Sequence, residues 1–112
     1  MYFLKFCNDN GGKLAEIMTA EENKEINLFL KNRNPNSWYW IGLTDQKIEG
    51  EFVWTSNGSI PKYTNWERGE PNGGMMEDCV HLWKKRTWYD LSCDVSGLFA
   101  LCERGWSTIS FT

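Results

Sequence analysis

The chain has 112 residues, with 12 basic and 15 acidic side chains, one histidine, four cysteines and seven tryptophans. That length suits one domain, and a net charge of −3 gives no bulk electrostatic reason to bind nucleic acid or an anionic membrane surface. No run approaches the ~20 apolar residues of a membrane span, Met1–Phe6 is too short for a secretory signal, and His81 alone cannot build a His-rich metal site.

Thr19-Ala20-Glu21-Glu22 forms a capping box, with Thr19 as N-cap and Glu22 reaching back to the cap's N–H. Ile26, Phe29 and Leu30 follow at i, i+3 and i+4. A helix is therefore predicted over about residues 20–32, ended by Asn34-Pro35-Asn36. The Trp- and Tyr-rich stretch from Ser37 to Leu43 reads as a strand. Phe52-Val53-Trp54 and the run after Pro61 read as two more, with Asn57-Gly58 as the turn between them. From Lys62 to Met76 nothing is periodic; this stretch holds Gly69, Pro71, Gly73 and Gly74, a long irregular segment of the type that is usually functional. Strand character returns at 79–83, at 87–89 and at 98–102. The fold class is α+β: a helix first, then short antiparallel strands around a long loop.

Four cysteines, at 7, 79, 93 and 102, allow three pairings. Cys79 and Cys93 enclose a natural short loop, which leaves Cys7 and Cys102 to tie the two ends together. The alternative is four reduced, buried thiols in a cytosolic protein. An even cysteine count in a small aromatic-rich chain suggests an extracellular module. The densest polar constellation lies in and around the long loop. Glu70, Asn72, Glu77, Asp78 and Asp90 are hard-oxygen ligand types, and Asp45 and Glu49 precede them on another loop. Calcium takes ~6–8 oxygens in flexible geometry, which carboxylates and an amide can supply; a solvated acidic loop has the same composition. A cis Glu70–Pro71 bond would turn both flanking side chains to one side.

Trp40-Ile41-Gly42-Leu43 followed by Asp45, then Asn65-Trp66, Gly69-Glu70-Pro71-Asn72, Glu77-Asp78-Cys79, Trp88-Tyr89-Asp90 and Cys93…Cys102 resemble the C-type lectin domain, in that order. The resemblance runs from about Cys7 to Glu103. It implies the C-type lectin-like fold, disulfides Cys7–Cys102 and Cys79–Cys93, and a calcium-dependent carbohydrate-binding function. The family's Glu-Pro-Asn loop, a downstream Glu and an Asn-Asp pair hold a calcium on which two vicinal sugar hydroxyls sit. Carried over, these positions are Glu70, Asn72, Glu77 and Asp90, which would serve both metal and carbohydrate. Glu-Pro-Asn resembles the mannose, N-acetylglucosamine and fucose class, because Glu accepts and Asn donates in the order those hydroxyls require. A resembling auxiliary calcium would use Asp45, Glu49 and Asp78, with Glu77; Gly73 stands where that site often has Asp or Asn.

Two departures carry expectations of their own. Tyr89 replaces the triplet's usual Asn, which should remove one sugar hydrogen bond and weaken or alter the sugar preference. It also moves weight toward the alternative, a calcium-independent protein-interaction module with a degraded sugar site. The family normally begins with a strand and a helix before its first long-bridge cysteine. The chain is therefore expected to be a domain over residues 1–104 lacking the first strand and most of the first helix, with 105–112 as a tail. Strand 98–102 would then be a bare edge. An enzyme is not expected, since calcium would consume the carboxylates a glycosidase needs. The partners implied are mannose-type glycans, with oligomerisation for avidity, in a secreted protein or the ectodomain of a membrane protein.

Other features read as structure. Most tryptophans are expected in the core, Trp40, Trp66 and Trp88 among them. Lys84-Lys85-Arg86 is read as a solvated turn before a contact for sulfated or sialylated glycans, and His81 as packing or surface. Asn57-Gly58-Ser59 is an N-glycosylation sequon that turn chemistry also explains.

Overall fold

A computed structural model describes residues 1–33, 36–83, 86–104 and 107–111. Asn34 and Pro35 of the expected helix stop, Lys84 and Lys85 of the basic turn, and Trp106 lie outside the described residues.

The chain opens with a helix that the sequence reading did not foresee, α1 (Tyr2–Asp9). Its N-terminus has no side-chain cap, so local propensity gives little sign of it. Tertiary contacts hold it instead. Phe3 and Cys7 are buried, the Phe3 ring stacks on Trp40 with centroids 4.4 Å apart, and Cys7 is bonded to Cys102. The expected helix is α2 (Ala20–Lys31), and it buries Asn23, Ile26 and Leu30. The Thr19 hydroxyl accepts the Glu22 N–H at 3.1 Å, as the capping box requires. The Glu22 carboxylate, however, accepts the N–H of Met18 at 2.6 Å rather than that of Thr19. Either donor keeps the carboxylate at the positive end of the helix.

Strand β2 (Tyr39–Thr44) is the hub of a seven-stranded sheet among the described residues. It pairs antiparallel with β3 (Val53–Trp54) and β4 (Cys79–Trp83), and parallel with β6 (Phe99–Arg104). On its far side β4 pairs with β5 (Thr87–Leu91). Gly42 is required by close approach: a Cβ there would lie 3.0 Å from the Thr55 hydroxyl and 3.2 Å from Leu14.

Two expectations fail here. No strand forms in the run after Pro61: β3 pairs with β2, and the only ladder contact of the 62–78 segment among the described residues is an isolated bridge, Trp66 to Trp88. The apolar run after Pro61 is too short to compete with the β2 edge for a partner. The edge of β6 is also not bare. It pairs antiparallel with β1 (Lys13–Leu14) and with β7 (Ser107–Phe111), the latter within the segment read as a tail. Strand β7 thus satisfies the ladder that was expected to be open.

Residues alternate across β2, so its two faces serve two cores. Tyr39, Ile41 and Leu43 join Ile26, Leu30, Trp54 and Trp88 on one side; Trp40 joins Phe3, Cys79 and Cys102 on the other. Trp40, Trp54 and Trp88 are fully buried and Trp66 packs against the first cluster, as expected of most tryptophans. Both expected disulfides are present, Cys7–Cys102 and Cys79–Cys93. Among the described residues no helix is long and apolar enough to cross a membrane.

Candidate functional site

The long loop is anchored at its start by main-chain bonds. Trp88 N–H donates to Asn65 C=O at 2.8 Å, and Glu67 N–H donates to Trp88 C=O at 2.9 Å. Trp88 is itself fixed by a side-chain network. Its indole N–H donates to the Asn23 carboxamide at 3.0 Å, and the Nδ2 groups of Asn23 and Asn65 both donate to the Arg86 carbonyl. The rings of Trp54, Tyr63 and Trp66 meet Trp88 edge-on at 5.7–5.9 Å. Helix α2 thereby sets the start of β5, which carries Asp90 two residues later.

Asp90 then ties the loop to the sheet. Its carboxylate, only 5% exposed, accepts the Asn72 N–H at 3.1 Å on both oxygens and the Gly73 N–H at 2.9 Å. The Asp90 N–H donates to the Glu70 carboxylate at 3.3 Å, whose second oxygen accepts the Asn72 Nδ2 at 3.0 Å. The Glu70–Pro71 bond is cis. The Glu77 side chain folds over Gly73 closely enough that a Cβ at position 73 would clash with it. Gly73, read from sequence as a missing ligand, thus supplies an N–H and the space that Glu77 occupies. Desolvation, then the Asp90 carboxylate, pushes Glu70 up to about 7, and the same two causes raise Glu77. Glu70, Asn72 and Asp90 are brought together by direct hydrogen bonds, with Glu77 adjoining.

A second acidic group lies where β2 leaves the sheet. Oxygens of Asp45, Glu49 and Asp78 lie within 4.8 Å of one another, and among the described residues this is the one acidic group that tight. The Thr44 hydroxyl at 2.6 Å and the Asp45 N–H at 3.1 Å both donate to the Asp78 carbonyl, and the Gly50 N–H donates to Asp45 Oδ2 at 2.8 Å. One oxygen each of Asp45 and Asp78 is buried without a hydrogen-bond partner among the described residues. Desolvation, then Asp45 and Asp78, pushes Glu49 up to about 7; desolvation, then Asp45, raises Asp78. Orphaned buried carboxylate oxygens in an all-oxygen donor set fit a hard divalent cation better than they fit an ion-free fold. Glu77 is outside this tight group.

Tyr89 is not beside Asp90. Strand alternation sends it to the opposite face of β5, where its ring stacks on His81 at 5.4 Å and meets Trp83 at 5.8 Å. His81, 3% exposed, is sandwiched between Tyr89 and Trp38, and its burial lowers it to about 4. Arg86 is no surface cation. It is 2% exposed, donates to the Ser37 carbonyl at 3.3 Å and lies over the Tyr39 ring. A charge run does not reveal such burial, because the left-handed backbone at Arg86 (φ 58°) that accompanies it has no sequence signature here.

This arrangement has known counterparts. The Lectin C-type domain family model matches residues 3–104, and the chain belongs to that family. A perlucin-like protein of Mytilus galloprovincialis is 35% identical over 101 residues, 88% of this chain, which spans 65% of that relative's length. The carbohydrate-recognition domain of the mouse scavenger receptor C-type lectin superposes with a TM-score of 0.75 at 34% identity, covering 84% of this chain and 73% of its own. That of cow CD23, determined in the presence of a GlcNAc2Man3 oligosaccharide, gives 0.68 at 38% identity, covering 81% and 67%. The domain is thus a C-type lectin domain, of a family whose homologues are carbohydrate-binding non-enzymes and which typically binds calcium. With two disulfides it belongs outside the cytosol, in a secreted protein or a receptor ectodomain.

Proposed function

We propose that this domain binds mannose-, N-acetylglucosamine- or fucose-type sugars in a calcium-dependent manner at the Glu70–Asp90 rim. The observation that carries the reading is the hydrogen-bonded set of Glu70, Asn72 and Asp90 with Glu77 beside it. An acceptor, a donor and two further carboxylates are displayed at the edge of a rigid sheet. Glu70, Asn72, Glu77 and Asp90 would hold the ion, and Asp45, Glu49 and Asp78 an auxiliary one. A bound calcium supplies direct coordination of two vicinal hydroxyls, while Glu70 accepts from one and Asn72 donates to the other. Retention on mannose-agarose in calcium and elution by EDTA are expected. Binding that survives EDTA would overturn the calcium bridge.

One observation favours the second reading, a calcium-independent interaction module. Asp90 is already met by two main-chain N–H groups, so the loop holds its shape through protein contacts alone. Thermal melting with and without calcium separates the readings, because a ligand held at 100 times its Kd adds about 2.7 kcal/mol. No shift favours the interaction module.

A further inference from the structure

We propose that Asn57 is a glycosylation site, carrying an N-linked oligosaccharide whose first N-acetylglucosamine lies in the groove beside it. Asn57-Gly58-Ser59 has the acceptor pattern and sits on an exposed turn of a disulfide-bonded extracellular domain. Turn chemistry accounts for only part of the pattern. The Asn57 carboxamide oxygen accepts the Ser59 N–H at 3.0 Å, the Ser59 carbonyl accepts the Trp54 N–H at 2.9 Å, and Gly58 takes the positive φ of +72°. The Asn57 Nδ2 and the Ser59 hydroxyl have no hydrogen-bond partner among the described residues. Neighbouring Ser56, by contrast, commits its hydroxyl to Glu16 at 2.8 Å. The two groups that the turn leaves unused are the two that transfer requires.

The transfer balances with a donor supplied by the secretory pathway, an oligosaccharide on a lipid diphosphate. The Asn57 amide nitrogen bonds to C1 of the first N-acetylglucosamine, the C1–O bond breaks, its electron pair leaves with the diphosphate, and the amide proton passes to a base of the transferase. Asn57 also lines a groove of about 760 Å³ that shares no residue with either acidic group. Met18, Ile26 and Phe29 give it apolar surface, and Glu22 and Glu25 supply acceptors. A sugar ring has the same mixture of apolar faces and hydroxyl donors, and a sugar bonded to Asn57 starts at the groove's wall.

The test is expression of the domain in secreting animal cells, followed by intact mass and peptide mapping. Asn57 is expected to carry glycan, Asn57→Gln and Ser59→Ala to abolish it, and Ser59→Thr to retain it. Because the turn uses only the main chain of Ser59, Ser59→Ala should fold. A secreted wild-type protein with the bare polypeptide mass would overturn the site. For the groove, glycosylated protein and protein trimmed to a single N-acetylglucosamine should melt together, several degrees above Ser59→Ala. Equal melting of all three would overturn the placement of the sugar.

Discussion

Asp90 is the joint between loop and sheet, and the structure fixes what its loss should cost. Its carboxylate receives two main-chain donors, Asn72 N–H and Gly73 N–H. A hydrogen bond to a charged group contributes about 1.5–3 kcal/mol, so two donors set a ceiling of about 3–6 kcal/mol. Asn72 is exposed and Gly73 partly so; water recovers part of each bond once the carboxylate is gone. Asp90→Ala should therefore cost about 2–3 kcal/mol, a fall in melting midpoint of roughly 8–12 °C at about 4 °C per kcal/mol for a domain of this size. Asp90→Asn keeps one acceptor oxygen and should lose about half as much. Both variants should lose retention on mannose-agarose, since both remove a ligand charge. Amide hydrogen exchange reads the joint directly: protection of Asn72 and Gly73 should vanish in Asp90→Ala while that of β4 persists. Unchanged protection at those two amides would refute the claim that Asp90 holds the loop.

Asn23→Leu should orphan the buried Trp88 indole N–H and cost about 1–3 kcal/mol, with weaker calcium binding because β5 positions Asp90; unaltered melting would show that water replaces the carboxamide. His81, lowered to about 4, must stay neutral in the fold. As pH falls from about 6.5 to about 4 the unfolded chain takes up the proton first, and up to about 3 kcal/mol of stability is lost. Glu49 and Glu70, both raised, move ion-free stability the opposite way between about 4.5 and 7, so the measurement is wild type minus His81→Phe in EDTA. A pH-independent difference would exclude His81. Tyr89→Asn should leave mannose retention unchanged, because this side chain faces away from Asp90, and should lower the melting midpoint through about 0.5–1.5 kcal/mol of lost aromatic contact. Stronger retention would return position 89 to the sugar site.

Features whose cause is local were legible in the sequence. The Thr19 cap, the Ile26/Leu30 stripe and the apolar runs of β2, β4 and β5 all appear where periodicity and capping place them. The cysteine pairs followed from spacing and family resemblance together. What stayed hidden depends on distant partners. Helix α1 exists because Phe3 finds Trp40 and Cys7 finds Cys102, contacts far apart in the chain. Likewise β3 chose β2 over the run after Pro61, and β6 found β7, because strand pairing is decided by which edges meet. In the site, residue types marked the carboxylates as candidate oxygen donors. They could not show that Gly73 serves through its N–H, nor that Tyr89 turns to the opposite face.

The two acidic groups are not independent features of one loop. They share a short main-chain hinge at residues 77–79. Glu77 leans toward Asp90, while the carbonyl of the next residue, Asp78, receives Thr44 and Asp45 from the end of β2. Cys79 then begins β4 and is bonded to Cys93, three residues beyond Asp90. Like charges are thus concentrated along a segment whose backbone cannot retreat, because a sheet ladder and a disulfide hold it from below. Desolvation first, and the neighbouring carboxylates after it, raise Glu49, Glu70, Glu77 and Asp78 alike. A fold that needed these residues only for solubility would leave them apart in water. Holding them converged on a rigid rim is costly unless something positive joins them, and that cost is the physical argument for a cation at this end of the sheet.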